Sequence, residues 1–82
     1  MPDKTKATKS RQKRMKDAKI LGEKLLAART EKGLTLEQLV AQSGVGIGTI
    51  SELERGLRMP NTSTLVALAE VLDVSLKALT GA

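Results

Sequence analysis

The chain of 82 residues is long enough for one small domain and too short for two independent cores. It contains no Cys, His, Phe, Tyr or Trp. This composition excludes disulfides, thiolate or imidazole metal sites, and catalysis by a His base or a Cys nucleophile. It also removes the aromatic rings on which single-stranded nucleic acids stack. We therefore expect an aliphatic core, no metal and no cofactor, and the net charge of +5 favours a polyanionic partner.

The positive charge is concentrated at the N-terminus. Residues 1–19 carry eight basic and two acidic residues, whereas residues 20–82 carry six basic and seven acidic ones. All 13 Leu, all five Val and all three Ile lie at or beyond Ile20. The sequence therefore predicts a flexible basic N-terminal arm, residues 1–19, and a helical domain, residues 20–82. The arm residues expected to contact phosphate are Lys9, Arg11, Lys13, Arg14, Lys16 and Lys19.

Two other interpretations of the arm are open. It could be a solvated tail without a ligand, or a mitochondrial-type presequence, which poor amphipathicity and the excess of Lys over Arg disfavour. No stretch approaches the roughly 20 apolar residues of a membrane span, and no apolar segment follows the lysines as in a signal peptide. We expect a cytoplasmic protein with no membrane partner and no separate effector domain.

Apolar residues at three- and four-residue intervals predict the first two helices. The first runs from about Asp17 to Lys32 and stops at Gly33, and Met15 and Ala18 could extend it into the arm. The second begins after Thr35 and ends at Gly44. The Thr35 hydroxyl and the side chain three residues later, Gln38, form the pattern of a capping box.

Three more helices follow, and each begins after a turn residue. The third covers residues 47–55, with Gly46 as its N-cap and Gly56 as its stop. Asn61 caps the fourth, whose Leu65, Leu68, Ala69 and Leu72 keep helical spacing, and Pro60 keeps the third helix from continuing. Ser75 begins a short fifth helix, with Gly81 behind it. No segment alternates as a strand would, so the predicted fold class is all-α.

The second and third helices, joined by a glycine-containing turn, have the size and turn chemistry of a helix-turn-helix. Residues 21–79 resemble the lambda-repressor/Cro-type (Xre) family of helix-turn-helix domains. The most specific part is Thr49-Ile50-Ser51-x-Leu53-Glu54-Arg55-Gly56, followed by Pro60. The other matching residues are Leu25, Arg29, Gly33-Leu34-Thr35, Leu39, Gly44-Val45, Leu65, Leu68-Ala69, Leu72 and Val74-Ser75-Leu76. The resemblance implies a five-helix domain.

The resemblance also implies where DNA is contacted. The third helix would lie in the major groove while the second crosses the backbone. The residues at base-reading places are Ile47, Gly48, Ser51 and Glu52. Those facing the DNA backbone or a groove edge are Thr49, Arg55, Arg58 and Asn61. An ion pair between Arg29 and Glu54 is implied as well, which would fix the pose of the third helix; the alternative is two unrelated surface charges.

The base-reading positions depart from the family's usual residues. Ile47 and Gly48 stand where members often have Gln, Arg or Ser, Leu36 replaces a Gln, and Val40 replaces a small Ala. Ile47 can contact a thymine methyl and Glu52 can accept from cytosine N4, but neither makes a bidentate base contact. We therefore expect specificity to depend partly on DNA shape, and affinity to depend on the arm.

The predicted function is a sequence-specific double-stranded DNA-binding transcriptional regulator, a repressor or autoregulator of bacterial, plasmid or phage origin. It is expected to bind an inverted repeat as a homodimer, with half-sites roughly 34 Å apart. Candidate dimer residues are Val71, Val74, Leu76 and Leu79, with Leu57 and Met59 as further candidates; the alternative for all of them is ordinary core. A stand-alone repressor, a controller protein and an antitoxin fit equally.

A second function class is a protein-interaction module, anti-regulator or antitoxin-like, with weakened base readout. Its partner would be RNA polymerase, a cognate toxin or another regulator. Catalysis is not expected, because Glu52 and Glu54 are two residues apart on a helix and cannot share a metal or a proton.

Overall fold

The computed structural model describes the backbone of residues 4–80 and the side chains of residues 16–80. Within residues 4–80 the chain forms five α-helices and no strand, which confirms the predicted all-α fold. The helices are α1 Lys4–Lys32, α2 Leu36–Ser43, α3 Ile47–Glu54, α4 Thr62–Leu72 and α5 Leu76–Thr80. The starts of α2 to α5 agree with their predicted caps. Gly81, the expected stop of α5, lies outside the described residues.

The start of α1 differs from the prediction. The helix begins at Lys4 rather than near Asp17, and its 29 residues include most of the predicted arm. Lys, Arg, Gln, Ala and Met dominate the added segment and are good helix formers. Their helix was not predicted, because a segment without an apolar stripe gives no periodic signal. At 1.5 Å per residue α1 is about 43 Å long, and the whole molecule measures 49 × 24 × 19 Å.

The core is aliphatic and draws on every helix. Its most deeply buried side chains, each 0–1% exposed, are Leu25, Leu39, Ile50, Leu53 and Leu68. Leu21, Ala69, Leu72 and Leu79 complete the cluster. Helix α3 packs against α1 and α2, α4 packs against α2, and α5 packs against α1 and α4. Burial of each large aliphatic side chain stabilises the fold by about 1.5–3 kcal/mol relative to its exposure.

Side-chain caps define the starts of two helices as predicted. Thr35 Oγ1 accepts a hydrogen bond from the Gln38 amide at 3.1 Å, and Gln38 Oε1 accepts one from the Thr35 amide at 2.8 Å. These reciprocal bonds are the capping box of α2. Asn61 Oδ1 accepts from the Thr64 amide at 2.8 Å and caps α4. Both caps are local relations over three residues, which is why the sequence predicts them.

The end of α4 has no glycine. Asp73 occupies its C-cap in the left-handed conformation, with φ 55°. Glycine usually fills such a position because it has no Cβ, although Asp and Asn tolerate it better than other residues. The three glycine stops predicted after α1, α2 and α3 do adopt positive φ values, between 72° and 75°.

Candidate nucleic-acid interface

The turn between α2 and α3 is fixed by hydrogen bonds over a short span. The Gly44 amide donates to Val40 O at 2.9 Å, and Gly44 has φ 75°, which allows the chain to reverse there. The Ser43 hydroxyl donates to Leu39 O at 2.6 Å and accepts from the Val45 amide at 3.1 Å. Polar groups at the end of α2 are thereby satisfied within the turn, and the direction in which α3 leaves it is set.

Helix α3 has one buried and one outward face. Ile50 and Leu53 are 1% exposed and point into the core, whereas Ile47 is 48% exposed. Gly48 is exposed, as is Arg55 just after the helix, and Thr49, Ser51 and Glu52 are partly buried when backbone and side chain are taken together. The outward face therefore offers a branched alkyl group, a position without a side chain, hydroxyls and a carboxylate. The residues to which the resemblance assigns base reading lie on this face, and Glu52 is the only charged residue among them.

A paired guanidinium and carboxylate connect α1 to α3. Arg29 Nε donates to Glu54 Oε2 at 2.7 Å, and Arg29 Nη2 donates to Glu54 Oε1 at 3.1 Å. A third hydrogen bond, which Arg29 Nη1 donates to Leu34 O at 2.9 Å, connects the pair to the loop that follows α1. The side chains are 16% and 8% exposed, so water competes little for them. These residues are therefore not unrelated surface charges.

The same pair further stabilises the charged form of Arg29. The hydrogen bond with Glu54 raises the pKa of Arg29 above its ordinary value, while partial burial acts in the opposite direction. The described side chains include no buried polar atom without a hydrogen-bond partner. A satisfied bidentate pair of this kind fixes the position of α3 relative to α1.

Two glycines allow α1 to cross the end of α3 closely, a role that was not predicted from the sequence for either of them. A Cβ at Gly22 would overlap Leu53 O and lie 2.9 Å from Glu54 O. A Cβ at Gly56 would lie 2.8 Å from Lys19 Cα. The presence of Gly22 inside an otherwise regular helix was the available signal, because a glycine there weakens the helix without a local benefit.

A second ion pair lies on the outside, after α3. Arg58 Nη1 lies 3.5 Å from Glu52 Oε2, and the two side chains are 51% and 47% exposed. It joins an expected backbone-contacting residue to an expected base-reading residue. Their pairing was not predicted from the sequence, because they are six residues apart and the helix ends between them. An exposed pair of this kind adds little stability.

The remaining predicted contact residues lie as follows. Asn61 Oδ1 is engaged by the Thr64 amide and the Ser63 hydroxyl, so the amide nitrogen is the atom that Asn61 can offer to a phosphate. Lys16 and Lys19 are exposed on α1. The side chains of Lys9, Arg11, Lys13 and Arg14 lie outside the described part of the structure.

The expected dimer residues divide into two groups. Leu76 is 40% exposed, and Val71 and Val74 are partly buried. Leu79 is 2% exposed and belongs to the core, so its proposal as a dimer contact is wrong and the core alternative holds. The sequence places Leu76 and Leu79 on the same short helix, α5. Their spacing does not show which of the two side chains is covered by α1 and α4. Leu57 and Met59 are exposed in the loop after α3.

The described residues offer neither a metal cluster nor a membrane span. No group of three or more acidic side chains in this part of the chain is arranged to hold a metal ion. No helix within it combines the length and the apolar character needed to cross a bilayer.

Comparison with known proteins agrees with this geometry. The helix-turn-helix family model HTH_3 matches residues 25–79. The HTH-type transcriptional regulator y4dJ of Sinorhizobium fredii is 46% identical over 57 residues, which are 70% of this chain and 74% of that protein. The HTH-type transcriptional repressor RghR of Bacillus subtilis is 44% identical over 54 residues, 65% of this chain and 40% of its own length.

Solved structures show the same architecture. The restriction-modification controller protein C.AhdI from Aeromonas hydrophila superposes with a TM-score of 0.73 at 33% identity, over 77% of this chain and 96% of that one. The clp gene regulator ClgR from Corynebacterium glutamicum superposes with a TM-score of 0.71 at 34% identity, over 76% of this chain and 66% of that one. The chain therefore belongs to the HTH_3 family of helix-turn-helix transcriptional regulators, the Xre or lambda-repressor-like type.

Proposed function

We propose that this protein is a sequence-specific regulator, a repressor or autoregulator, that places α3 in the major groove of duplex DNA. The observation that carries the proposal is the fixed pose of α3. A bidentate pair to Arg29 and a close crossing at Gly22 hold its inner side, while Ile47, Gly48, Ser51 and Glu52 lie on its outward side. A short helix held rigidly with a free outer face is the part that helix-turn-helix proteins insert into the groove.

The basic N-terminal segment would supply most of the electrostatic attraction. Residues 20–82 carry a net charge of −1, so the domain by itself does not attract a polyanion, whereas residues 1–19 carry +6. Residues 4–19 are helical, and at 1.5 Å per residue they extend about 24 Å. A segment of this length and charge can follow several phosphates. Each phosphate that it neutralises makes the slope of log K against log salt more negative by about 0.9.

A single domain of this size covers one half-site, so we propose a homodimer on an inverted repeat. The exposed and partly buried apolar residues Val71, Val74 and Leu76 would form the dimer contact. The names of the relatives support a regulatory role, since RghR is named as a repressor and C.AhdI as a controller protein. We also propose that the protein acts in the cytoplasm, that its origin is bacterial, plasmid or phage, and that it has no catalytic activity.

One observation favours a second function. Ile47 is 48% exposed at the start of α3, beside the bare backbone of Gly48. An exposed alkyl group without strong hydrogen-bonding neighbours can dock a protein as readily as a thymine methyl. A protein-interaction module, with RNA polymerase or a cognate toxin or regulator as its partner, would bind DNA only in a salt-sensitive and sequence-independent way.

Selection of bound duplexes from a random pool distinguishes the two functions. The whole chain should enrich an inverted repeat, and enrichment of no sequence would overturn the proposal and favour the interaction module. A version lacking residues 2–16 should bind the enriched duplex more weakly, with a flatter slope of log K against log salt. Equal affinity of the two versions at physiological salt would remove the role of the basic segment.

A further inference from the structure

We infer that Arg58 and Glu52 form an ion pair that opens when the protein binds DNA. Glu52 then contributes to base selection by excluding bases that offer no hydrogen-bond donor. In the free protein Arg58 neutralises Glu52. On DNA Arg58 moves to a phosphate, and the uncovered carboxylate of Glu52 then accepts only a base that offers a donor. The inference rests on the proposed function and adds to it the exchange of Arg58 between Glu52 and phosphate, through which this position excludes bases.

The two carboxylates of α3 have contrasting environments. Glu54 is 8% exposed and is held by two short bonds from Arg29, at 2.7 Å and 3.1 Å. Glu52 is 47% exposed and has a single contact, at 3.5 Å, with Arg58. The buried bidentate pair is a permanent part of the fold, because breaking it would leave a charge without a partner. The exposed single contact contributes little stability, so exchanging it costs little.

Arg58 is suited to change partners. Its side chain is 51% exposed, and it lies on the loop between α3 and α4, outside the core cluster. A guanidinium binds carboxylate and phosphate oxygens through the same planar fork. Duplex DNA presents phosphates at far higher density than the single carboxylate of Glu52. Close to a duplex, therefore, phosphate would displace Glu52 from Arg58.

Glu52 then has a restricted choice of bases. An ionised carboxylate only accepts hydrogen bonds. In the major groove cytosine offers its N4 amino group as a donor, and adenine offers its N6 amino group beside the N7 acceptor, whereas guanine presents two acceptors and thymine an acceptor and a methyl group. A carboxylate facing acceptors loses its water and its arginine without gaining a partner, which is unfavourable. Glu52 thus favours cytosine mainly by rejecting guanine and thymine, with adenine disfavoured less because its donor lies beside an acceptor. This rejection compensates for the weak attractive contacts available to Ile47 and Gly48.

The test compares three variants on the duplex enriched by the whole chain and on its single-base substitutions. In the unaltered chain we expect a preference for cytosine of roughly 5- to 100-fold at one position of each half-site. Glu52→Gln should reduce this preference to less than about 2-fold. The same variant should bind unrelated duplexes more tightly. Glu70→Gln makes the same charge change on an exposed residue of α4 and should keep the preference. Arg58→Met should reduce the magnitude of the slope of log K against log salt by about 1 and should keep the cytosine preference.

Several outcomes would overturn the inference. An unchanged base preference in Glu52→Gln removes the role of Glu52, and an unchanged salt slope in Arg58→Met removes the transfer of Arg58 to phosphate. Circular dichroism melts show whether each variant keeps its fold, as expected for two exposed side chains. If the unaltered chain enriches no duplex, the proposed function itself fails before any variant is compared, so the two failures are distinguishable.

Discussion

Replacement of Gly22 with Ala tests the close crossing of α1 and α3. The new Cβ would meet two backbone carbonyl oxygens, of Leu53 and Glu54, the second at 2.9 Å. Overpacking costs about 1–3 kcal/mol, and the upper value applies here because backbone atoms cannot rotate away as a side chain can. Alanine is a better helix former by about 1 kcal/mol, so the net loss of stability is about 2 kcal/mol.

Gly48 provides a matched control within α3. No heavy atom lies within 4 Å of a Cβ built at this position. Gly48→Ala therefore adds only helix propensity and should raise stability by up to about 1 kcal/mol. In a domain of this size 1 kcal/mol shifts the Tm by about 4–8 °C. We expect Gly22→Ala to lower the Tm by about 8–16 °C and Gly48→Ala to raise it by up to about 8 °C.

Thermal melts followed by far-UV circular dichroism measure both changes, since the chain has no aromatic residue for fluorescence. The expected result is a shift of opposite sign for the same chemical change. A Gly22→Ala variant as stable as the unaltered chain, or stabilised like Gly48→Ala, would refute the reasoning that glycine is needed where α1 crosses the last turn of α3.

Urea unfolding followed by circular dichroism checks three further predictions. Leu68→Ala should lower the free energy of unfolding by about 2–5 kcal/mol, because Leu68 is 0% exposed. Leu57→Ala, at a 61% exposed position, should lower it by less than about 0.5 kcal/mol. Similar losses in the two variants would contradict the assigned core. Thr35→Ala should lose about 0.5–2 kcal/mol with the capping box of α2, and no loss would mean that the cap is not formed in solution. Asp73→Gly should gain about 1 kcal/mol by relieving a left-handed backbone and removing a negative charge from the end of α4; a loss would contradict this.

Local chemistry made much of the fold predictable. The capping box at Thr35 and the cap at Asn61 are relations over three residues, and positive-φ glycines after α1 to α3 follow stretches of helical spacing. The inward position of Ile50 and Leu53 follows from the apolar period of α3 alone. The pairing of Arg29 with Glu54 is different, because 25 residues separate them. It was implied by the family resemblance and not by spacing.

What the sequence did not predict depends on contacts between distant segments or on the lack of a periodic signal. Gly22 is needed because of the carbonyl groups of another helix, and nothing in its own neighbourhood shows this. The contact of Glu52 with Arg58 requires the path of the loop after α3. The first residues of α1, from Lys4, carry no apolar stripe, so their helix was not predicted. The end of α4 at Asp73 was not predicted either, because the glycine that usually indicates a stop is absent there. The DNA contacts themselves stay predictions.

The claim that the outward face of α3 reads duplex DNA is tested most directly by a titration at physiological salt. The chain is titrated against its enriched inverted repeat and against a duplex of the same base composition in scrambled order. We expect tighter binding to the inverted repeat by a factor on the order of 10³ or more. Equal affinity for the two duplexes would contradict it.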